Sequence, residues 1–310
     1  MSIAFVFPGQ GAQTIGMGRA LAEAYPAAQA IFDEVDQALG EKLSALIWEG
    51  DLETLTLTEN AQPALMATSM AALRALEAEG LVADDLAFVA GHSLGEYSAL
   101  AAAGTFSVAD AARLLRTRGL AMQQAVPVGQ GAMAAILGLD FDTATDVANR
   151  AAEDQVCQVA NANDPAQNVV SGNKAAVERA CVLAKDAGAK RALMLPVSAP
   201  FHCALMAPAA EKMAEALQDV EMRAPRVPVV ANVRAEAVSD PETIKTLLIE
   251  QVTGQVRWHA SVAWMAEQGV TEFWEVGAGK ALSGMIRRIA KDATTRNIGT
   301  PEDLKAISEA

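Results

Sequence analysis

Gly91-His92-Ser93-Leu94-Gly95 sets a serine between small neighbours, after the apolar run 86–90 and before a helical stretch over 94–103. A serine nucleophile must project from a sharp turn into open space, and a strand–turn–helix context supplies that turn. The helix that follows aims its free N–H groups and positive end at a developing oxyanion. The bland alternative is a glycine-flanked turn whose serine only caps a helix. A serine hydroxyl at neutral pH needs a base, and the chain has three histidines. His92 adjoins Ser93, so in a tight elbow its ring points away. His259 begins a helical stretch and reads as a surface or capping residue. His202 lies in Ser198-Ala199-Pro200-Phe201-His202-Cys203, where a proline-fixed loop can hold an imidazole firmly. It is either the base or a buried structural histidine. Cys203 as a thiol nucleophile has no second base in view.

Arg118 is the third residue with chemical meaning. Ser107 followed by Asp110 caps a predicted helix over Val108–Gln124, and Leu114, Arg118 and Met122 fall four apart on one stripe. A guanidinium among apolar neighbours needs a partner, because an unpaired buried charge costs about 3–5 kcal/mol. The partner is either a carboxylate of the chain or a substrate carboxylate gripped by two hydrogen bonds.

These residues must be positioned by an α/β scaffold. Ile3–Phe7 and 86–90 are compact buried-strand patterns, with 227–230 and 273–276 similar. Amphipathic stretches over 61–79, Val108–Gln124 and 208–217 lie between them. Strands alternating with helices predict a mainly parallel sheet covered on both faces. The middle differs. After the crossing Pro127-Val128-Gly129-Gln130-Gly131 come a strand (132–139), a helix (Phe141–Ala152), and strands 156–160 and 168–171 around a turn at Asn163-Asp164-Pro165. A helix (174–187) and a strand (191–197) close the series. That βαββαβ order is the ferredoxin-like split unit. The expectation is a large domain of residues 1–126 and 200–310 with a ferredoxin-like subdomain over 127–199, the first and last thirds of the chain packing together.

Composition narrows the partners. The 310 residues are 52% hydrophobic, ample for a globular core, and 24 Lys and Arg against 38 Asp and Glu leave a net charge of −14. Nucleic acid and anionic membranes, both of which demand a basic surface, are excluded as main partners. No targeting or spanning segment is read, and the expectation is a cytoplasmic protein. Three cysteines without CxxC spacing argue against a disulfide framework or a zinc site, so no metal is expected. Gly9-Gln10-Gly11-Ala12-Gln13-Thr14 lacks the third glycine of a dinucleotide fingerprint. Gly277-Ala278-Gly279-Lys280 lacks the spacing and hydroxyl of a phosphate loop. No nucleotide or redox cofactor is expected.

Taken together, these segments resemble the malonyl-CoA:acyl-carrier-protein transacylases of fatty-acid synthesis over nearly the whole chain. The marks are Phe7-Pro8-Gly9-Gln10-Gly11, Gly91-His92-Ser93-Leu94-Gly95-Glu96, Thr117-Arg118-Gly119, the 198–202 segment and Glu275-Val276-Gly277. The resemblance implies a hydrolase-like α/β core with a ferredoxin-like insertion. It makes Ser93 the acyl-accepting nucleophile and His202 its base, with the backbone N–H groups of Gln10 and Leu94 as the oxyanion hole. Arg118 would read the malonyl carboxylate. A backbone carbonyl near Gln251 would orient the imidazole, and Asn161 and Gln62 would contact substrate or support those that do. Cys203 stands where serine is usual, and the proline expected near Gln255 is missing. Malonyl-CoA and acyl carrier protein are the implied partners of a monomer. Carriers of this pathway are acidic like this chain, so docking would need local basic patches such as Lys190-Arg191 or Arg287-Arg288 with Lys291, unless these are plain surface charges. A serine thioesterase or esterase, a polyketide-loading enzyme and an inactive carrier-docking module remain alternatives.

Overall fold

The computed structural model describes residues 2–81, 85–197 and 199–309. Ser198, the first residue of the segment leading to His202, lies outside them. The chain is mixed α/β, with a mainly parallel sheet and a separate antiparallel one. The strands are β1 (Ile3–Phe7), β2 (Leu86–Gly91), β3 (Gly131–Leu137), β4 (Cys157–Asp164), β5 (Gln167–Asn173), β6 (Arg191–Met194), β7 (Val229–Val230), β8 (Ala237–Val238), β9 (Glu272–Val276) and β10 (Thr294–Ile298).

The larger sheet runs β10-β9-β1-β2-β7-β8, parallel except for the closing β7–β8 pair. β1 lies inside it, with Phe7 level with Gly91 of β2 and Ile3 level with Glu272 of β9. The first and last thirds of the chain therefore do pack together. Side chains alternate across a strand, and β1 uses this to feed two cores. Phe5 and Phe7 pack toward helices Pro26–Leu39, Thr58–Ala78 and Val108–Gln124. Ala4 and Val6 pack toward Trp258–Glu267 and Ala281–Ile289. The Thr58–Ala78 helix departs from the amphipathic expectation: residues 61–73 are buried on every side, because the larger sheet and the neighbouring helices surround them. Helices enclosed in this way are apolar all round.

The smaller sheet runs β4-β5-β3-β6, antiparallel throughout, with helices Phe141–Ala152 and Lys174–Asp186 on one face. Ala132, Ala134 and Ile136 of β3 point to that face, and Met133 points into the main core. The turn expected at Asn163-Asp164-Pro165 is tighter than the sequence suggests. β4 continues through Asp164, held by pairing with β5, and turns only over Pro165 and Ala166. β6 ends at Met194, which is paired with Ala134 of β3, rather than at 197. The two ends of this unit meet: a Cβ on Gly131 would lie 2.3 Å from the Pro200 ring.

Candidate active site

The site forms at the carboxyl ends of β1 and β2, where open α/β sheets place their ligands. The chain turns so sharply after β2 that Ser93 adopts φ 53°, a left-handed value rare outside glycine. The flanking glycines allow it. A Cβ on Gly91 would sit 1.9 Å from the Gly95 backbone, and one on Gly95 would sit 2.3 Å from the Phe7 carbonyl oxygen. The helix Gly95–Ala102 starts immediately afterwards. The His92 N–H donates to the Phe7 carbonyl (3.1 Å), fastening the turn to β1. His92 itself points away from Ser93, as expected, its Nε2 lying 2.9 Å from Asn163 Oδ1. Desolvation lowers its pKa, opposed by Asn163.

His202 also has a left-handed backbone, φ 58°. Its Nε2 lies 2.7 Å from Ser93 Oγ, and its Nδ1 lies 2.9 Å from the Gln251 carbonyl and 3.2 Å from that of Gly254. Two carbonyl acceptors fix the tautomer with the proton on Nδ1, which leaves the Nε2 lone pair facing the hydroxyl. Burial first, then the charge of Arg118, push the imidazole down to about 3, while the Gln251 and Gly254 carbonyls act in the opposite sense. The ring is therefore neutral at physiological pH, as a base must be.

Arg118 is 1% exposed and sits against both. Its Nη2 donates to Ser93 Oγ (3.1 Å) and Gln251 Oε1 (2.8 Å), and its Nη1 donates to Gln62 Oε1 (2.7 Å). Its guanidinium carbon lies 5.7 Å from the centre of the Tyr97 ring. Burial lowers its pKa, with Tyr97 and Glu96 opposing. Among the described residues no carboxylate of the chain forms an ion pair with it, so of the two partners open at the sequence level the internal one is not seen. A buried cation held by neutral groups can take an anion as its partner.

Around these three, one network sets the geometry. Gln251, fully buried, uses its backbone carbonyl for His202, its Oε1 for Arg118, and its Nε2 to donate to Ser93 O (3.0 Å) and Glu96 Oε2 (2.8 Å). Asn232 accepts from the Ser93 N–H (2.8 Å) and donates to the Gly91 carbonyl (2.7 Å), bracing the elbow from the loop after β7. Glu96 accepts from the Asn232 N–H (3.1 Å), and burial pushes its carboxyl up to about 7. Asn232 has no signal in the sequence, since it acts from 139 residues away. Glu96 stood in the elbow motif without a role.

Leu94 follows the serine in the elbow, and Gln10 follows Gly9, on which a Cβ would lie 2.8 Å from the His92 carbonyl oxygen. Among the described residues neither backbone N–H meets an acceptor in the protein, so both are free for an oxyanion. The Gln10 side chain is tied back to Thr58 Oγ1 (3.2 Å). Among the described residues, Gln62 meets the site through Arg118. Asn161 is buried on β4, opposite Val256 in a parallel bridge, and ties the smaller sheet to the segment after Gln251. Cys203 is buried, its thiol donating to the Pro200 carbonyl (3.1 Å) and raised by burial, which suits packing rather than attack. His259 is half-buried at the second position of its helix, away from this cluster. Of the basic patches, Lys190 and Arg191 are exposed, whereas Arg288 pairs with buried Asp164 of β4 (2.6 Å) and Arg287 donates to Thr295. Among the described residues no three His, Cys, Asp or Glu side chains converge as a metal-binding group, and no helix is long and apolar enough to cross a membrane.

Comparison with known proteins gives one consistent answer. Residues 4–298 match the acyl transferase domain model. The chain is 49% identical over 304 residues to the malonyl CoA-acyl carrier protein transacylase of Bacillus subtilis, covering 98% of this chain and 95% of that protein. The crystal structure of an acyl-carrier-protein-S-malonyltransferase from Bartonella henselae superposes with a TM-score of 0.97 at 54% identity, covering 100% and 99% of the two chains. A type II PKS acyl-carrier protein in complex with its malonyl-transacylase provides a third match, at TM-score 0.96 and 42% identity, covering 100% and 99%.

Proposed function

This chain belongs to the acyl transferase family, and from that premise we propose that it moves the malonyl group from malonyl-CoA to the phosphopantetheine thiol of acyl carrier protein in fatty-acid synthesis. The observation that carries the reading is a single meeting point. Ser93 Oγ contacts the His202 imidazole and the Arg118 guanidinium at once, at 2.7 and 3.1 Å.

Ser93 Oγ attacks the thioester carbonyl while His202 Nε2 takes its proton. The tetrahedral oxyanion is received by the N–H groups of Gln10 and Leu94, and the Gln251 carbonyl stabilises the imidazolium through Nδ1–H. Collapse breaks the C–S bond, and CoA leaves with the proton from His202, giving a malonyl–serine ester. The carrier thiol then gives its proton to His202 and attacks the ester. Ser93 leaves and regains that proton, so the cycle closes with two half-reactions and ping-pong kinetics. Arg118 pairs with the malonyl carboxylate, so an acetyl group, lacking that charge, leaves a buried cation without its anion. Gln62 and Gln251 hold the guanidinium, and Asn161 supports the wall beside it. The route calls on no metal ion and no redox cofactor.

The scaffold reads as a hydrolase-like α/β domain of residues 1–126 and 200–310, with residues 127–199 a ferredoxin-like subdomain; the βαββαβ order and the strand order β4-β5-β3-β6 support this. A cytoplasmic monomer is the accompanying reading. Likeness to a complex with a type II PKS carrier supports polyketide loading as a second assignment of the acceptor. Mixing the protein with malonyl-CoA should add one malonyl mass to the peptide holding Ser93, discharged by holo carrier protein. Rapid release of malonate without carrier would instead establish a thioesterase, and absence of any adduct on folded protein would leave only a docking module.

A further inference from the structure

We propose that Glu96 is a positioning residue for acyl-group selection: by accepting from the Gln251 amide, it fixes which end of that amide faces Arg118. This rests on the malonyl-transfer reading and deepens it. A primary amide presents an acceptor at one end and two donors at the other, and the two ends have nearly the same shape. Arg118 is a pure donor, so Gln251 contributes to holding its Nη2 only when the amide oxygen is turned toward it. The reversed amide would set an NH2 group against the guanidinium.

The buried surroundings of Gln251 decide between the two. Its Nε2 faces Glu96 Oε2 at 2.8 Å, the Ser93 carbonyl at 3.0 Å and Asn232 Oδ1 at 3.5 Å. The Ser93 carbonyl is already engaged by the Glu96 N–H (3.0 Å), and Asn232 Oδ1 by the Ser93 N–H (2.8 Å). Glu96, 2% exposed, supplies the shortest of the three contacts, through the same Oε2 that accepts from the Asn232 N–H (3.1 Å). It stands three residues after the nucleophile, in the first turn of the Gly95–Ala102 helix, while Gln251 and Arg118 come from two other helices. The relay Glu96–Gln251–Arg118 thus joins the nucleophile's helix to the group that reads the substrate, without Glu96 touching substrate.

The test compares Glu96→Leu, which removes the acceptor at similar size, with Glu96→Gln, which keeps an oxygen for the same bond. Ser93 acylation by malonyl-CoA and by acetyl-CoA is followed separately in single turnovers, beside thermal melting. Wild type must first favour malonyl; if it does not, the malonyl reading fails rather than this one. Glu96→Leu should cut the malonyl-to-acetyl rate ratio at least tenfold, chiefly through a raised KM for malonyl-CoA. Glu96→Gln should keep the ratio within threefold. Equal losses for both acyl groups, an unchanged ratio in Glu96→Leu, or a Glu96→Gln loss as large as that of Glu96→Leu would each overturn the proposal. If Glu96→Leu does not fold, Gln251→Leu interrupts the same relay from its other end. It should lower the ratio equally, and a retained ratio there would be fatal.

Discussion

Removing the guanidinium by Arg118→Ala separates reading the substrate from attacking it. On the proposed reading the malonyl carboxylate meets a cation that is 1% exposed and, among the described residues, hydrogen-bonded to Gln62, Gln251 and Ser93. Stripping one partner from a buried, hydrogen-bonded charge pair costs about 3–5 kcal/mol. At 1.36 kcal/mol per factor of ten, a loss of about 4 kcal/mol is roughly a thousandfold fall in kcat/KM for malonyl-CoA. Acetyl-CoA brings no carboxylate and escapes that loss. The Arg118 charge is also the second cause of the low basicity of His202, so its removal raises the basicity of the imidazole toward its ordinary range. Acetyl transfer should therefore hold or rise while malonyl transfer collapses. Quench-flow with mass spectrometry of the Ser93 peptide reads the acylation step for each donor alone. If both donors lose the same factor, Arg118 supports the site without reading the carboxylate, and the reasoning fails.

Two further outcomes follow from the geometry. Gly95→Ala should destabilise the protein by about 1–3 kcal/mol, the usual cost of forcing atoms into a filled space, because its Cβ would fall 2.3 Å from the Phe7 oxygen; a urea midpoint matching wild type would refute the close approach. His202 stays neutral in the fold down to about 3, but takes a proton near 6.5 once unfolded. The unfolded chain thus binds the extra proton, and stability falls as pH drops from about 6.5 toward 3. Denaturation curves at pH 7, 6, 5 and 4 should be flatter in His202→Gln by up to about 1.4 kcal/mol per pH unit, and parallel curves would contradict the assignment.

Much of the site was legible because its signals are local. The Ser93 elbow declares itself by a strand, two glycines and a helix within a dozen residues. Arg118 declares itself by a charge on an apolar stripe, and His202 by elimination among three histidines. The support was illegible, because Asn232 and the Gln251 side chain act across more than a hundred residues, and nothing in their neighbours marks them. Local pattern also misjudged the Thr58–Ala78 helix, whose burial comes from elements far along the chain. It placed the β4 turn early because Asn163 and Asp164 are turn formers by type, yet pairing with β5 and the Arg288–Asp164 ion pair keep them in the strand region. The thin strand β10, Thr-Thr-Arg-Asn-Ile, carries almost no apolar period and exists by pairing with β9.

The imidazole arrives on the segment that leaves the smaller sheet, two residues after the proline that rests on Gly131, whereas the hydroxyl rides on the larger sheet. Their separation is thus set where the chain passes from the smaller sheet to the larger, a region where Met133 of β3 also enters the main core. A small shift at that crossing would part hydroxyl from imidazole with every strand still intact.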